Sequence, residues 1–212
     1  MLEPTIAHAE SDGEVELVTG RQLARLTYAD VDCKAFPELK LKRGALVTVF
    51  GRSGAGKSTL VTRAIDSIPG TALLLSIEEP GGPTLAARNV RIGATREDLL
   101  ICSRASVDQL VGLCRKHKVA SLAIDSFQRA SFSPRDLRHI LSTIPSIEVL
   151  FVTSQINAAN ELRGGHELAH ESDCVIEVRD LVWTVATKSR YAPVGTTGPV
   201  LNEKKDVTPD AA

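Results

Sequence analysis

Five short apolar runs alternate with segments whose apolar residues have helical spacing, and this alternation restricts the fold more than any other feature of the chain. The runs cover residues 45–50, 71–76, 98–102, 120–125 and 148–153. Each run is nearly continuous in apolar residues, which is typical of strands that are buried on both faces of a parallel sheet. The alternation predicts an α/β fold with a mostly parallel central sheet and helices on both faces.

Two of the intervening helices have recognisable starts. Ser106 and Gln109 have the spacing of a capping box, which predicts a helix over residues 106–118. Ser133 followed by Pro134 has the pattern of a cap and a first helical residue, and it predicts the start of another helix.

The pattern changes near the end of the chain. Apolar runs at 173–178 and 181–187 are separated only by Arg179 and Asp180. A link this short cannot carry a crossover connection, so the two runs predict an antiparallel hairpin that extends the sheet.

The length and composition indicate one domain with polar ends. A chain of 212 residues can bury a single core. Residues 1–20 are acidic and poor in large apolar groups, and we expect a flexible lead-in there, a folded core over 21–201 and a polar tail over 202–212. The net charge of −1 does not by itself indicate nucleic-acid binding, which would have to depend on local cations.

The sequence predicts neither a membrane-spanning helix nor a zinc site. No apolar run approaches the roughly 20 residues of a membrane-spanning helix. The four cysteines, at 33, 102, 114 and 174, are scattered without a C-x-x-C pair, so they predict reduced thiols and neither a zinc site nor a disulfide framework. We expect a cytoplasmic protein with no membrane association and no zinc.

Residues 51–58 read GRSGAGKS and fit the phosphate-loop (Walker A) pattern G-x-x-x-x-G-K-[ST] at every fixed position. The loop lies between a predicted strand and a helical pattern, which is the context that the motif requires. Its backbone N–H groups would surround phosphates at the positive end of the helix. Lys57 would reach the β and γ phosphates and Ser58 would ligate Mg²⁺, so ATP and Mg²⁺ are the expected cofactors. The expected nucleotide contacts are Gly51, Arg52, Ser53, Gly54, Ala55, Gly56, Lys57, Ser58 and Thr59.

Hydrolysis also requires a second residue that holds Mg²⁺ and a base that orients the attacking water. Asp125 ends the apolar run 120–125 and is the candidate for holding Mg²⁺ together with Ser58, although a turn cap would have the same sequence. Glu78 and Glu79 follow the run 71–76, at the edge of a parallel sheet where ligands bind. Either carboxylate could orient an attacking water, and two exposed glutamates without a catalytic role would have the same pattern.

Three further polar residues follow strands. Gln155 comes after the run 148–153, where its amide could contact a γ phosphate and move when that phosphate leaves, or simply begin a polar loop. Lys188 and Arg190 follow the last apolar run and lie on one side of it if the chain stays extended. They are either surface cations or groups that act on a neighbour's nucleotide.

Together these motifs resemble the RecA-like recombinase and helicase ATPases, including the DnaB-type helicases, and most closely the ATPase core of the bacterial RadA (Sms) repair proteins. The resemblance runs from about residue 39 to residue 201. The segments that carry it are 44–58, 74–79, 124–128, 153–157, 164–175 and 188–191.

The resemblance implies roles for the candidate residues. Glu78 aligns better than Glu79 with the catalytic glutamate of the family. Gln155 is similar to the RecA sensor glutamine, at a place where RadA proteins usually carry histidine. Lys188 and Arg190 look like the cations that act in trans between subunits.

The chain also departs from the family pattern. The zinc ribbon and the C-terminal protease-like domain of RadA proteins have no counterpart in the sequence, which predicts a minimal core. Ala192 stands where the family has glycine.

The family implies a homo-oligomeric ring or filament that binds single-stranded DNA and hydrolyses ATP at its subunit interfaces, in recombination, repair or replication. The two DNA-facing loops of the family would fall at 128–132 and 157–166, which makes Arg129, Asn160 and Arg163 the candidate DNA contacts. So few cations could support phosphate binding only when subunits repeat along the strand.

Two other functions remain open at this point. A KaiC-like regulatory ATPase would assemble on ATP without DNA. A small-molecule kinase would use the same phosphate loop, but the sequence has no arginine-rich lid segment and a kinase would leave the terminal hairpin unexplained.

Overall fold

The computed structural model describes residues 19–23, 28–157, 162–163 and 165–201. Residues 1–18 of the expected lead-in over 1–20 and the expected tail over 202–212 therefore lie outside the described residues. Within these ranges the strands are β1 (Ala45–Gly51), β2 (Ala72–Ser76), β3 (Leu99–Cys102), β4 (Ser121–Asp125), β5 (Val149–Gln155), β6 (Cys174–Arg179), β7 (Val182–Ser189) and β8 (Thr197–Pro199). The helices are α1 (Gly20–Leu23), α2 (Lys57–Ser67), α3 (Pro83–Arg91), α4 (Val107–His117), α5 (Phe127–Ala130), α6 (Pro134–Thr143) and α7 (Gly165–Glu171).

The eight strands form one sheet in the order β3-β2-β4-β5-β1-β6-β7-β8. The pairings among β1 to β6 are parallel, whereas β7 runs antiparallel to both β6 and β8. The predicted α/β class, with a mostly parallel sheet and a terminal antiparallel hairpin, is confirmed. Each predicted strand is present, and its ends differ by one or two residues from the prediction. Strand β8 was not predicted because its three residues, Thr-Gly-Pro, carry no apolar alternation.

Helices cover both faces of the sheet. On β1, Val47 and Val49 pack into a core that also includes residues of α2 and α3, whereas Leu46 packs into a second core with residues of α4, α5, α6 and α7. Successive side chains of a strand point to opposite faces, so a strand in the middle of the sheet must be apolar on both. This explains why the central strands appear in the sequence as continuous apolar runs.

Both predicted helix starts are confirmed. The backbone N–H of Gln109 donates to Ser106 Oγ at 3.3 Å, and α4 begins one residue after this cap. The N–H of Asp136 donates to Ser133 Oγ at 3.2 Å, with Pro134 as the first residue of α6. Side-chain acceptors thus satisfy backbone donors that have no partner inside the helix.

The cysteines are free thiols, and Cys33, Cys114 and Cys174 are buried while Cys102 is half-buried. Burial raises the pKa of Cys33 to about 11 and that of Cys114 to about 12. Among the helices of the described ranges, none is long and apolar enough to cross a membrane.

Candidate active site

The carboxyl ends of four neighbouring strands meet at one edge of the sheet. Gly51 at the end of β1 lies in register with Gln155 at the end of β5. Ser76 at the end of β2 lies in register with Asp125 at the end of β4. Because these strands are parallel, everything that follows them emerges at the same edge, which is where ligands bind in sheets of this kind. The topology therefore brings together the phosphate loop and the polar residues that follow the other strands.

Close backbone packing fixes the path of the phosphate loop. A Cβ atom on Gly51 would lie 2.3 Å from the carbonyl oxygen of Val178 on β6, so no other residue fits. Gly56 has a φ of 105° and precedes α2 without a side-chain cap. The N–H groups of the first turn of α2 are therefore not occupied by a capping side chain, as an anion site at a helix N-terminus requires.

Lys57 is held inside this loop. Its side chain is largely buried, and Nζ donates to the carbonyl oxygen of Arg52 at 2.8 Å. Burial lowers the pKa of Lys57, and the negative charges of Asp125 and Glu78 oppose that shift. The cation thus lies within electrostatic range of both carboxylates.

Asp125 carries a buried oxygen that has no protein donor. The residue is 2% exposed, and its Oδ1 accepts a hydrogen bond from Thr153 Oγ1 at 2.5 Å. Its Oδ2 is buried and has no hydrogen-bond partner within the described residues. An ionised oxygen in that position is costly unless a cation or a water completes it.

These residues fit a magnesium ion. Ser58 in the first turn of α2 and Asp125 offer a hydroxyl and a carboxylate oxygen, which are the hard ligands that Mg²⁺ takes. The described residues contain no group of three or more His, Cys, Asp or Glu side chains that could hold a metal.

Glu78 is the point at which the loops of the site converge. Its Oε1 accepts hydrogen bonds from Ser126 Oγ at 2.9 Å and from Gln155 Nε2 at 3.1 Å. Nε of Arg129 lies 3.5 Å from the same oxygen. Gln155 therefore reaches the candidate base directly. Sequence reasoning missed Ser126, which follows β4 and offered no signal beyond its neighbour Asp125.

Glu79 has different contacts from Glu78. Its Oε2 accepts from NH1 of Arg88 at 2.7 Å, and its carbonyl oxygen accepts from Ser76 Oγ at 3.0 Å. Arg88 lies on α3 and is 7% exposed. It was not predicted as a site residue, since an arginine on a helix is unremarkable in sequence. Glu79 is thus engaged with α3, whereas Glu78 contacts the residues that follow β4 and β5.

Lys188 and Arg190 lie at the other edge of the sheet. Because β7 runs antiparallel to β6, Ser189 at the end of β7 pairs with Cys174 at the start of β6. Lys188 Nζ donates to the carbonyl oxygen of His170 at 2.6 Å. The structure therefore does not bring these two cations to the phosphate loop of their own chain.

Asp173 anchors this opposite edge. It is 4% exposed, and its Oδ2 accepts from the backbone N–H of Leu46 at 2.9 Å. NH1 of Arg138 donates to the same oxygen at 3.1 Å, and NH1 of Arg190 lies 3.2 Å from Oδ1. The buried carboxylate of Asp173 thus lies between two guanidinium groups, and the side chain of Arg190 remains 65% exposed. Asp173 was not among the predicted site residues.

The candidate DNA loops adjoin the active site. Gln128 donates to Ser154 Oγ and, at 3.3 Å, to the carbonyl oxygen of Arg163. Arg129 and Arg163 are both exposed. Asn160 lies outside the described residues. The segments after β4 and β5 are therefore tied to each other beside Glu78.

A cavity of about 520 Å³ adjoins the phosphate loop. Its lining consists of residues 52–55, Ile156, and residues 177–181 at the end of β6 and in the β6–β7 turn. Its size is within the range of small-molecule sites.

No protein-family model matches the chain. The chain is similar to the DNA repair protein RadA of Aquifex aeolicus (strain VF5), with 26% identity over 153 residues that cover 65% of this chain and 34% of the relative. The chain thus spans about a third of the length of that relative. The sheet order and this similarity together show an α/β fold of the RecA-like type.

Proposed function

We propose that the chain binds ATP with Mg²⁺ and hydrolyses it as a RecA-like ATPase that acts on DNA. The observation that carries this proposal is the contact between Glu78 and Gln155 beside the buried Lys57. It joins a candidate base, a candidate γ-phosphate sensor and a phosphate-binding cation at one edge of the sheet. A glycine-rich turn with no ligand would not need these three groups to converge.

The phosphate-binding residues would act by position and charge. The loop amides and Lys57 would hold the β and γ phosphates. Ser58 and Asp125 are the residues that would hold Mg²⁺, which neutralises phosphate charge when bound. The unpartnered Oδ2 of Asp125 supports this role.

Glu78 would act as the base. It would orient a water against the γ phosphorus and take its proton, while a new bond forms from the water oxygen to phosphorus and the bond to the bridging oxygen of ADP breaks. Gln155, which is hydrogen-bonded to Glu78, would contact the γ phosphate. Loss of that phosphate would let Gln155 move together with the loop that follows β5.

A second copy of the chain would complete the site. Lys188 and Arg190 lie at the edge opposite the phosphate loop, so head-to-tail association would bring them to a neighbour's nucleotide. We propose that they stabilise the charge of the transferred phosphoryl group in trans, in a ring or a filament.

DNA would bind along the loops beside Glu78. Arg129 and Arg163 are exposed there, and Asn160 belongs to the same segment of sequence. The relative from Aquifex aeolicus is named as a DNA repair protein, which supports DNA as the partner.

Steady-state hydrolysis of ATP with and without single-stranded DNA tests this function. We expect Mg²⁺-dependent turnover that DNA stimulates, together with ATP-dependent assembly seen by light scattering. Assembly on ATP with unchanged turnover and no retention of DNA at low salt would instead support the regulatory ATPase. Absence of both turnover and assembly would overturn the proposal.

A further inference from the structure

Arg129 forms a contact that the proposed reaction does not require. Its Nε lies 3.5 Å from Oε1 of Glu78, the oxygen that also accepts from Ser126 and Gln155. Arg129 belongs to α5, on the segment where a nucleic-acid strand is expected. We propose that Arg129 restrains Glu78 in the DNA-free protein, and that a phosphate of single-stranded DNA draws this guanidinium away and releases the base. This inference rests on the proposed ATPase function and adds its regulation.

The restraint follows from the groups around one oxygen. A carboxylate oxygen has two lone-pair directions, and a base must turn one of them toward the hydrogen of the attacking water. Ser126 and Gln155 are neutral hydrogen-bond donors, whereas Arg129 is a cation that forms an ion pair with the same oxygen at 3.5 Å. The attraction between the two opposite charges opposes movement of the carboxylate. Removing Arg129 alone would therefore free Glu78 without removing the residues that orient it.

The contact is built so that it can be broken. The side chain of Arg129 is 64% exposed and that of Glu78 is 28% exposed, so water screens the pair. The helix that carries Arg129 has only four residues and ends at Ala130, and the next residue, Ser131, has a φ of 57°. A DNA phosphate offers the guanidinium two parallel hydrogen bonds to a full negative charge, which is a better partner than one distant carboxylate oxygen.

The second candidate loop bears on the same carboxylate. Gln128, next to Arg129, donates to Ser154 and to the carbonyl oxygen of Arg163. Ser154 directly precedes Gln155, whose amide donates to Glu78. A strand that binds both loops would thus act on Glu78 through Arg129 and through Gln155, and Arg129 is the path that a single substitution isolates.

The test compares three variants in the full chain: Arg129→Ala, Arg129→Lys and, as a matched control, Arg115→Ala. Arg115 is an exposed arginine in the last turn of α4 and has no contact with Glu78 in the described structure. We expect Arg129→Ala to raise the DNA-free kcat for ATP by about twofold to fivefold, which is the upper part of the range expected for an exposed ion pair. The KM for ATP should stay unchanged, and single-stranded DNA should add little further stimulation.

Two further variants show that the effect passes through the base. Arg129→Lys keeps a cation and should retain much of the restraint, and Arg115→Ala should behave like the unmodified chain. Adding Glu78→Gln to Arg129→Ala should abolish the raised turnover. Because Arg129 is exposed, the thermal unfolding of Arg129→Ala should match that of the unmodified protein.

The outcomes separate this inference from the function on which it rests. If the unmodified chain hydrolyses no ATP, the proposed function and the restraint both fail. If it hydrolyses ATP but Arg129→Ala leaves the DNA-free kcat unchanged or lowered, the restraint alone is wrong. Retention of full DNA stimulation by Arg129→Ala would also overturn it.

Discussion

Gln155 donates a hydrogen bond from Nε2 to Oε1 of Glu78 at 3.1 Å. Gln155 is the last residue of β5 and Glu78 follows β2, and β4 lies between these two strands in the sheet. The contact forms because β2, β4 and β5 are parallel and end at one edge. Ser126, which follows the strand between them, donates to the same oxygen. Three segments that are distant in sequence therefore meet at one carboxylate. Any movement of the segment after β5 reaches the candidate base without an intermediary.

The phosphate loop predicts a contrast between two glycine substitutions. A Cβ at Gly51 would collide with the backbone oxygen of Val178, whereas Gly54 has a φ of 76° but nothing within 4 Å of its Cβ position. We expect Gly54→Ala to lower the free energy of unfolding by about 1–3 kcal/mol through backbone strain alone. Gly51→Ala should cost more than Gly54→Ala, because backbone must move. Urea unfolding of both variants measures this difference. Equal losses of unfolding free energy would show that the close contact between Gly51 and β6 does not restrict the residue at this position.

The burial of Lys57 leads us to expect that the protein gains stability when this side chain loses its charge, either at high pH or by substitution. Burial lowers the pKa of Lys57 below its ordinary value of 10.5. Below the folded pKa both the folded and the unfolded states carry the proton, so the buried charge opposes folding in full. As the pH rises through the folded pKa toward 10.5, the unfolded state binds more protons than the folded one, and stability increases.

We therefore expect Lys57→Met to be more stable than the unmodified protein at neutral pH, without ATP. The difference should narrow as the pH approaches 10.5, because lysine then loses its charge in both states. Urea unfolding of both proteins at neutral pH and near pH 10.5 measures this difference in stability. The same variant should also lose ATP binding. A Lys57→Met chain that is less stable at neutral pH would contradict this prediction.

At the opposite edge of the sheet, we expect substitution of Asp173 to affect stability more than substitution of Arg190. Arg190 pairs with Asp173 but its side chain is 65% exposed, so Arg190→Ala should lower the free energy of unfolding by less than about 1 kcal/mol. Asp173→Ala removes a buried carboxylate that also serves Arg138 and the N–H of Leu46, and it should cost about 3–5 kcal/mol. Thermal and urea unfolding separate the two variants.

Arg190→Ala should nevertheless reduce ATP turnover at least about a hundredfold if Arg190 acts on a neighbour's nucleotide. Mixing it with Lys57→Ala chains should restore about a quarter of the active interfaces, because random assembly pairs an intact loop with an intact Arg190 that often. No recovery on mixing would exclude action in trans. Turnover of Arg190→Ala close to that of the unmodified protein would show that this residue is a surface cation.

The sequence was sufficient for features that are local. The caps at Ser106 and Ser133, the apolar strands and the phosphate loop each depend on residues within a few positions of one another, and the structure contains them. The sequence also placed Glu78, Asp125 and Gln155 at one edge, because parallel strands share a direction. That inference required no knowledge of side-chain contacts.

The contacts that span the fold could not be predicted in this way. Thr153 bonds to Asp125 across 28 positions, and Asp173 holds the N–H of Leu46 across 127. Such pairs depend on how segments that are far apart in the sequence are placed beside each other in the sheet, which no local pattern encodes. The engagement of Glu79 with Arg88 is of the same kind, because it depends on how α3 packs after the turn.

The most direct measurement is the kcat for ATP of Glu78→Gln beside that of Glu79→Gln, each with ATP binding and thermal unfolding determined on the same preparation. The two substitutions are chemically identical and adjacent, yet only Glu78 contacts Gln155 and Ser126. We expect Glu78→Gln to lower kcat by about a hundredfold or more with ATP binding retained, and Glu79→Gln to leave kcat within a few-fold. A Glu78→Gln chain that keeps the turnover of the unmodified protein would contradict the assignment of Glu78 as the base.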